Sequence, residues 1–291
     1  LKGEAIFGHS FLQILPDGSF EMVGNTGTIS DSKPTAFQGS TAVDAEFELN
    51  GNTLQFHLGA YDHQKTLVID PWTRIYSTFF GGSGNEWYLG HVTATDLSGN
   101  VYLGGHTSST NFPATAGTFQ VSNAGSNDGF VAKLDPTKTG FDSLVYATYF
   151  GGSELDSIQA AAIDPQDRLW LAGYTFSDDM PVSPGAYQTS RRGGVDTFLA
   201  LLDVTKSGAA FVPYFTYFGG RGTDVTYALL VNPTDGTLTV AGYTTSSDFP
   251  VKGMTDYTQP AIKQSESFVS RLDPSKTGDS ALVWSTMFGG S

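Results

Sequence analysis

STFFGG at 77–82, ATYFGG at 147–152, FTYFGG at 215–220 and STMFGG at 285–290 are one phrase written four times. The copies begin 70, 68 and 70 residues apart, so a repeat of that length organises the chain and takes precedence over any local reading. Two further landmarks keep their place between the copies. GGHTSSTNFP at 104–113 returns as AGYTFSDDMP at 172–181 and AGYTTSSDFP at 241–250. DGFVAKLDPTKTG at 128–140 returns as DTFLALLDVTKSG at 196–208 and ESFVSRLDPSKTG at 266–278.

Each unit reads as four short strands. In the first, Trp87–Thr95 leads through Ser98-Gly99-Asn100 into Val101–Thr107. A loop with an Asn111-Phe112-Pro113 corner follows, then Phe130–Leu134 and Leu144–Phe150. Tyr146, Thr148 and Phe150 alternate onto one face, as do Tyr214, Thr216 and Phe218, and Trp284, Thr286 and Phe288. β-branched and aromatic residues at period two suit a pleated surface packed against a second sheet. The Gly-Gly after each Phe is expected to permit a backbone path closed to other residues. The fold class expected is therefore all-β, with propeller-type four-stranded blades. The units run at about 81–150, 151–218 and 219–288, with 72–80 a lone closing strand.

These units resemble the SBBP-type β-propeller repeats of large exported bacterial proteins. The residues that carry the resemblance are Asp96-Leu97-Ser98-Gly99-Asn100-Val101-Tyr102-Leu103-Gly104-Gly105 with Thr107, Ser108, Phe112 and Pro113. The third unit matches through Gly242-Tyr243-Thr244, Ser246 and Asp248-Phe249-Pro250; the second departs at Met180 and Arg168. The resemblance covers roughly 71–291. It implies a propeller in an extracellular setting and transfers no catalytic residue.

Residues 1–70 do not share the repeat. Val43, Ala45, Phe47 and Leu49 alternate with acids, and Asn50-Gly51 turns into Leu54, Phe56 and Leu58, a half-buried hairpin. Asp17-Gly18 marks another. The segment looks like the end of the β-rich domain often found before such repeats, through Ser32–Gln38 and Leu67–Pro71.

Thirty-five Gly in 291 residues fit a chain of many tight turns. Fifteen Lys and Arg against 29 Asp and Glu leave a net charge of −14, which opposes nucleic acid and anionic lipid surfaces. No apolar run is long enough to span a bilayer, so no membrane insertion is expected. Zero Cys excludes disulfides and thiolate metal sites. Three units fall short of the roughly four or more blades of known propellers, so the chain is expected to be part of a longer ring. The rival is an open arc whose edges pair between chains.

Chemistry is sparse. Glu86, Asp156 and Asp224 each stand four residues beyond a Gly-Gly, where carboxylates could gather Ca2+ through oxygen ligands. The favoured reading is that they cap turns, because no dense Asp-x-Asp-x-Asp loop occurs. Asp135, Asp203 and Asp273 are read as turn formers for the same reason. His91 and His106 flank one hairpin, but His106 stands where Tyr174 and Tyr243 stand and is assigned to packing. Of Trp72, Trp87, Trp170 and Trp284, the last two fall inside strands and are assigned to packing; Trp87, which has no aromatic counterpart in the other units and whose place Ser157 takes, is the candidate glycan-stacking residue. Arg191-Arg192 is the one adjacent Arg pair. No catalytic residue and no cofactor are assigned. The function expected is a non-enzymatic extracellular scaffold or adhesion module with a protein or glycan partner at the cell surface. The alternatives are a self-associating filament subunit and a polysaccharide-binding or polysaccharide-degrading protein.

Overall fold

Strands form where the period-two pattern runs between Gly- and Asp-bearing turns. A computed structural model describes residues 4–7, 10–24, 27–50, 53–70, 78–253 and 265–289. The chain divides into two units, Leu1–Ser77 and Thr78–Ser291.

In the first unit, β1 (Glu4–Phe7), β2 (Ser10–Ile14), β3 (Phe20–Gly24) and β4 (Gly27–Asp31) form an antiparallel meander. Gly18, at φ +88°, makes the expected β2–β3 turn, and Asp17 accepts bonds from the backbone and hydroxyl of Ser19. β5 (Thr35–Gln38) lies between β6 (Thr41–Val43) and β9 (Val68–Asp70), and β7 (Ala45–Asn50) pairs with β8 (Thr53–Leu58). The alternation read from Val43 to Leu49 is split between two sheets. Val43 ends β6, Asp44 breaks the strand, and Ala45 and Phe47 bury in the next hairpin. Phe47 packs edge-on to Phe20, with ring centroids 5.0 Å apart. Gly51 lies outside the described residues.

The second unit holds three four-stranded antiparallel sheets. Blade 1 is β10 (Glu86–Thr95), β11 (Val101–Thr107), β12 (Asp128–Leu134) and β13 (Leu144–Phe150). Blade 2 is β14 (Asp156–Ile163), β15 (Leu169–Thr175), β16 (Asp196–Leu202) and β17 (Tyr214–Phe218). Blade 3 is β18 (Asp224–Val231), β19 (Leu238–Thr244), β20 (Glu266–Leu272) and β21 (Leu282–Phe288). The strands run in sequence order in every sheet. Of the expected closing strand, 72–77 lie outside the described residues, and 78–80 carry no strand.

The hairpin between the first two strands is set by an acid. Asp96 accepts from the backbone N–H of Ser98 and Asn100, and Asp164 does the same for Gln166 and Arg168. The informative departure in blade 2 is Asp167, which takes the left-handed φ of +61° where blade 1 has Gly99 at +83°. Its carboxylate offsets that conformation by accepting from the Leu97 N–H of the neighbouring turn at 3.0 Å. Asp135, Asp203 and Asp273 are turn formers: each accepts from the backbone and hydroxyl of the Thr or Ser two residues on.

The blades pack face to face. Val92, Tyr102, Val131 and Phe150 of blade 1 join Ile158, Leu171, Phe198 and Phe215 of blade 2 in one buried cluster. Trp170, Leu199 and Phe218 on the far side of blade 2 join Leu238, Val240 and Phe268 of blade 3 in a second. Blade 2 thus has an entry face toward blade 1 and an exit face toward blade 3. Among the described residues, the three stack in series without closing a ring.

Candidate functional site

The junctions between blades hold the repeated polar residues. After β13 the chain crosses to blade 2 through Gly151-Gly152, and each amide of the crossing meets a fixed acceptor. Gly151 N–H donates to Gln120 Oε1 at 3.0 Å and Gly152 N–H to Asp156 Oδ2 at 2.7 Å. Ser153 N–H donates to Asp179 Oδ1 and Glu154 N–H to Ser177 Oγ, both at 2.9 Å. Ser177 Oγ in turn donates to Asp156 Oδ2 at 2.8 Å. The next crossing repeats this set through Gln188, Asp224, Asp248 and Ser246. The first repeats it through Glu86, Asn111 and Ser109. Glu86, Asp156 and Asp224 therefore stand in three different sheets, each closing its own turn.

A second acid, missed in the sequence, faces each of the two inner carboxylates. Asp128 at the start of β12 accepts from Ala124 and Gly125 N–H, and Asp196 at the start of β16 from Arg192 and Gly193 N–H. A Cβ built on Gly151 would lie 2.8 Å from both Asp128 Cγ and Asp156 Oδ2. On Gly152 it would lie 2.2 Å from Asp179 Oδ1 and 2.6 Å from Ser177 Cβ. The Gly-Gly pair is required by these close approaches, since neither residue has a left-handed φ. Beside the acids a single parallel bridge ties blade to blade: Asp156 N–H donates to Asn127 O at 2.9 Å, and Asp224 N–H to Val195 O at 2.8 Å. Asp128, Asp196 and Glu266 open the recurring third-strand motif, but nothing in the sequence shows that the next blade's first-strand acid lies beside the first two.

Burial sets the electrostatics. Asp128, Asp156, Asp196 and Asp224 are fully buried, and desolvation raises each above the usual carboxylate range. Asp156 reaches about 6, with the neighbouring Asp128 charge adding to the burial effect, and its Oδ1 has no hydrogen-bond partner. Between the ordinary value and about 6 the folded state binds the extra proton, so this group adds stability as pH falls through 6 and withholds it above. Lowering the pH from 7.5 to 5 is expected to gain about 1 to 2 kcal/mol from Asp156. Asp156→Asn should flatten that slope in urea unfolding at the two pH values; an unchanged slope would refute the assignment.

The other sequence candidates separate. His106 is buried, its pKa lowered by burial, and Nδ1 lies 3.0 Å from Ser157 Oγ of blade 2, a packing role with a polar tip. The side chains of Trp87 and His91 lie outside the described residues. Trp170 is buried against Tyr214 and donates Nε1–H to Asp164, while Trp284 is half-buried. Arg191 is occupied by Asp178 and the Gly193 and Gly194 carbonyls. Among the described residues no group of three or more His, Asp or Glu side chains is arranged to hold a metal ion.

Two clefts lie between blades 2 and 3. One, of about 530 Å³, is lined by Trp170, Tyr214, Arg168, Asp235 and Asp273, and burial lifts Tyr214 to about 12. The other, of about 360 Å³, is lined by Tyr174, Phe176, Tyr227, Tyr243 and Gln159. Tyr227 stacks on Tyr243 at 6.0 Å and is 58% exposed. This aromatic groove escaped a reading that weighed only Trp.

Residues 5–72 match a family described as Domain of unknown function (DUF7948). No curated protein matches the chain. No helix among the described residues is long and apolar enough to cross a membrane.

Proposed function

We propose that the chain is a non-enzymatic scaffold or adhesion module at a bacterial cell surface, built from repeats of the SBBP type. The carrying observation is where the recurring polar side chains go. The acids, Ser and Gln that recur from unit to unit bond the backbone at blade junctions, and the carboxylate held near 6 has no contact with solvent through which to reach a substrate. A catalytic set would instead gather titratable groups in one cleft. The purified chain should retain cells when immobilised and show no turnover of neutral or acidic glycans. Glycan cleavage lost on substitution in loops 108–127 or 176–195 would overturn the proposal.

A second reading, glycan binding, is favoured by the groove at Tyr174, Phe176, Tyr227 and Tyr243, because exposed stacked phenols are sugar platforms. Tyr227→Ala is expected to lower retention on a glycan array about tenfold, the effect of losing ~1.4 kcal/mol of stacking. Equal retention by the variant removes the groove from consideration.

A further inference from the structure

The same row of three side chains lies on the face that blade 1 turns to blade 2 and on the face that blade 2 turns to blade 3. Lys133 of β12 stands between Tyr102 of β11 and Tyr146 of β13, and Leu201 of β16 stands between Trp170 of β15 and Tyr214 of β17. Both pairs of rings meet edge to face, at 6.3 and 5.5 Å. In blade 1 the row holds a cation. Lys133 Nζ lies 5.1 Å from the centroid of the Tyr102 ring and 2.6 Å from Oδ2 of the buried Asp96. In blade 2 the hairpin acid and both rings remain, but Leu201 brings no charge to them. Asp164 is held from its own turn instead, by Arg168 Nε at 2.8 Å, and among the described residues no cation lies over Trp170 or Tyr214. Arg271, in the Lys133 position of blade 3, is committed to Asp235 Oδ2 at 2.6 Å and Thr237 Oγ1 at 2.8 Å.

The filling of the two junctions differs as well. Asp135, Asp203 and Asp273 donate their N–H to the carbonyls of Ser143, Phe211 and Ala281, which puts those three residues at one repeat position. The Phe211 ring closes the first junction, edge-on to Tyr146 at 5.9 Å. Ala281 has no ring to set against Tyr214, and the cleft of about 530 Å³ lies at this second junction, lined by Leu201, Trp170 and Tyr214 from blade 2 and by Asp235 and Asp273 from blade 3. Asp273 Oδ1 accepts from Ser275, and among the described residues no Lys or Arg pairs with the carboxylate. The Tyr214 hydroxyl, shielded from solvent, has no hydrogen-bond partner.

We propose that this cleft binds the lysine side chain of a protein partner, its ammonium seated by the Trp170 and Tyr214 rings beside Asp273 as Lys133 is seated by Tyr102 beside Asp96. A cation on an aromatic face gains most where water is excluded. A chain of net charge −14 draws basic segments toward it. The cleft is larger than an alkylammonium, and Gln166 and Thr234 on its lining carry hydrogen-bonding groups for the amides of the chain that bears it. The site gives the scaffold reading a partner chemistry and rests on it for the partner being a protein. Cell retention and lysine binding are measured separately, so either can fail alone.

Heteronuclear NMR titration of the chain with acetyl-lysine amide is the test, read at the Trp170 indole N–H and the Gln166 and Gly236 amides. These signals should shift saturably. The norleucine analogue, which lacks the ammonium, and butylamine, which lacks the amides, should both bind more weakly. Asp273→Asn is expected to weaken binding about fivefold, the scale of a partly screened charge pair. Asp142→Asn removes the same charge from an exposed turn of blade 1 and should bind as wild type. Leu201→Lys should abolish binding by placing the blade 1 cation in the cleft; Asp273→Asn carries the test if that buried substitution does not fold. The absence of saturable shifts at the cleft overturns the proposal, as do equal affinities for the lysine and norleucine amides or for wild type and Asp273→Asn. Butylamine binding as tightly as the lysine amide would assign the cleft to a free amine and overturn the protein partner.

Discussion

Phe218→Ala should cost about 3–5 kcal/mol in dilute solution, while Phe288→Ala at the same repeat position should cost under about 1 kcal/mol. The chemistry removed is identical, and the difference comes from what covers the ring. Phe218 contacts Tyr187, Phe249 and Phe268, with centroids at 5.6, 5.2 and 6.2 Å, in a fully buried cluster. Deleting it leaves a cavity between two blades that the stiff sheets cannot collapse to fill. Phe288 is half in solvent, so truncation removes little buried area. Urea unfolding of the two variants at one protein concentration is the check; equal losses would mean that blades 2 and 3 are not joined through this face.

Gly173→Ala should be the most damaging glycine substitution in blade 2, costing about 3 kcal/mol or more. Its backbone is ordinary, but the added methyl would lie 2.0 Å from the Ser157 carbonyl oxygen and 3.0 Å from a ring carbon of Phe198. Neither neighbour can yield cheaply, the first being backbone and the second a fully buried ring. The cause is a break in register between Ile158 and Ala160 that lays the first strand over the second. Blade 3 shows the same break between Thr226 and Ala228, and a Cβ added to Gly242 would meet the Val225 carbonyl oxygen in the same way. Gly194→Ala, with no atom within 4 Å of the new methyl, should be tolerated within about 0.5 kcal/mol. Thermal midpoints of the two variants separate these outcomes.

What could be read from the residues was whatever is periodic along the chain. The strands Val101–Thr107 and Leu144–Phe150 lie where the alternation put them, and the Tyr146 and Phe150 side chains do share a buried face. Met180, which departs from the Phe of the other units, still has its backbone N–H bonded to Tyr217 as Phe112 has to Tyr149. What escaped were properties that exist only between strands. Gly173 reads as punctuation in one dimension and as a close crossing in three. The Gly151-Gly152 pair reads as a demand for unusual dihedrals, yet its reason is three carboxylates and a serine pressed against the backbone. Val43 and Ala45 look like neighbours on one strand, and only the break at Asp44 parts them into different sheets. The junction acids were half legible. Glu86, Asp156 and Asp224 stood out by spacing, while Asp128 and Asp196 acquire meaning only once the next blade's first strand lies beside them.

We propose that the repeated carboxylates serve to hold backbone at the blade junctions rather than to gather a cation. Thermal unfolding in chelator and in millimolar Ca2+ tests it most directly. If the amides of Gly82, Gly152 and Gly220 are what these acids bind, the two midpoints should coincide. Calcium at about a hundredfold above its dissociation constant would add ~2.7 kcal/mol, a rise of roughly 4–5 °C in a chain of this size. Such a rise, abolished in Asp156→Asn, would show instead that the carboxylates gather a cation.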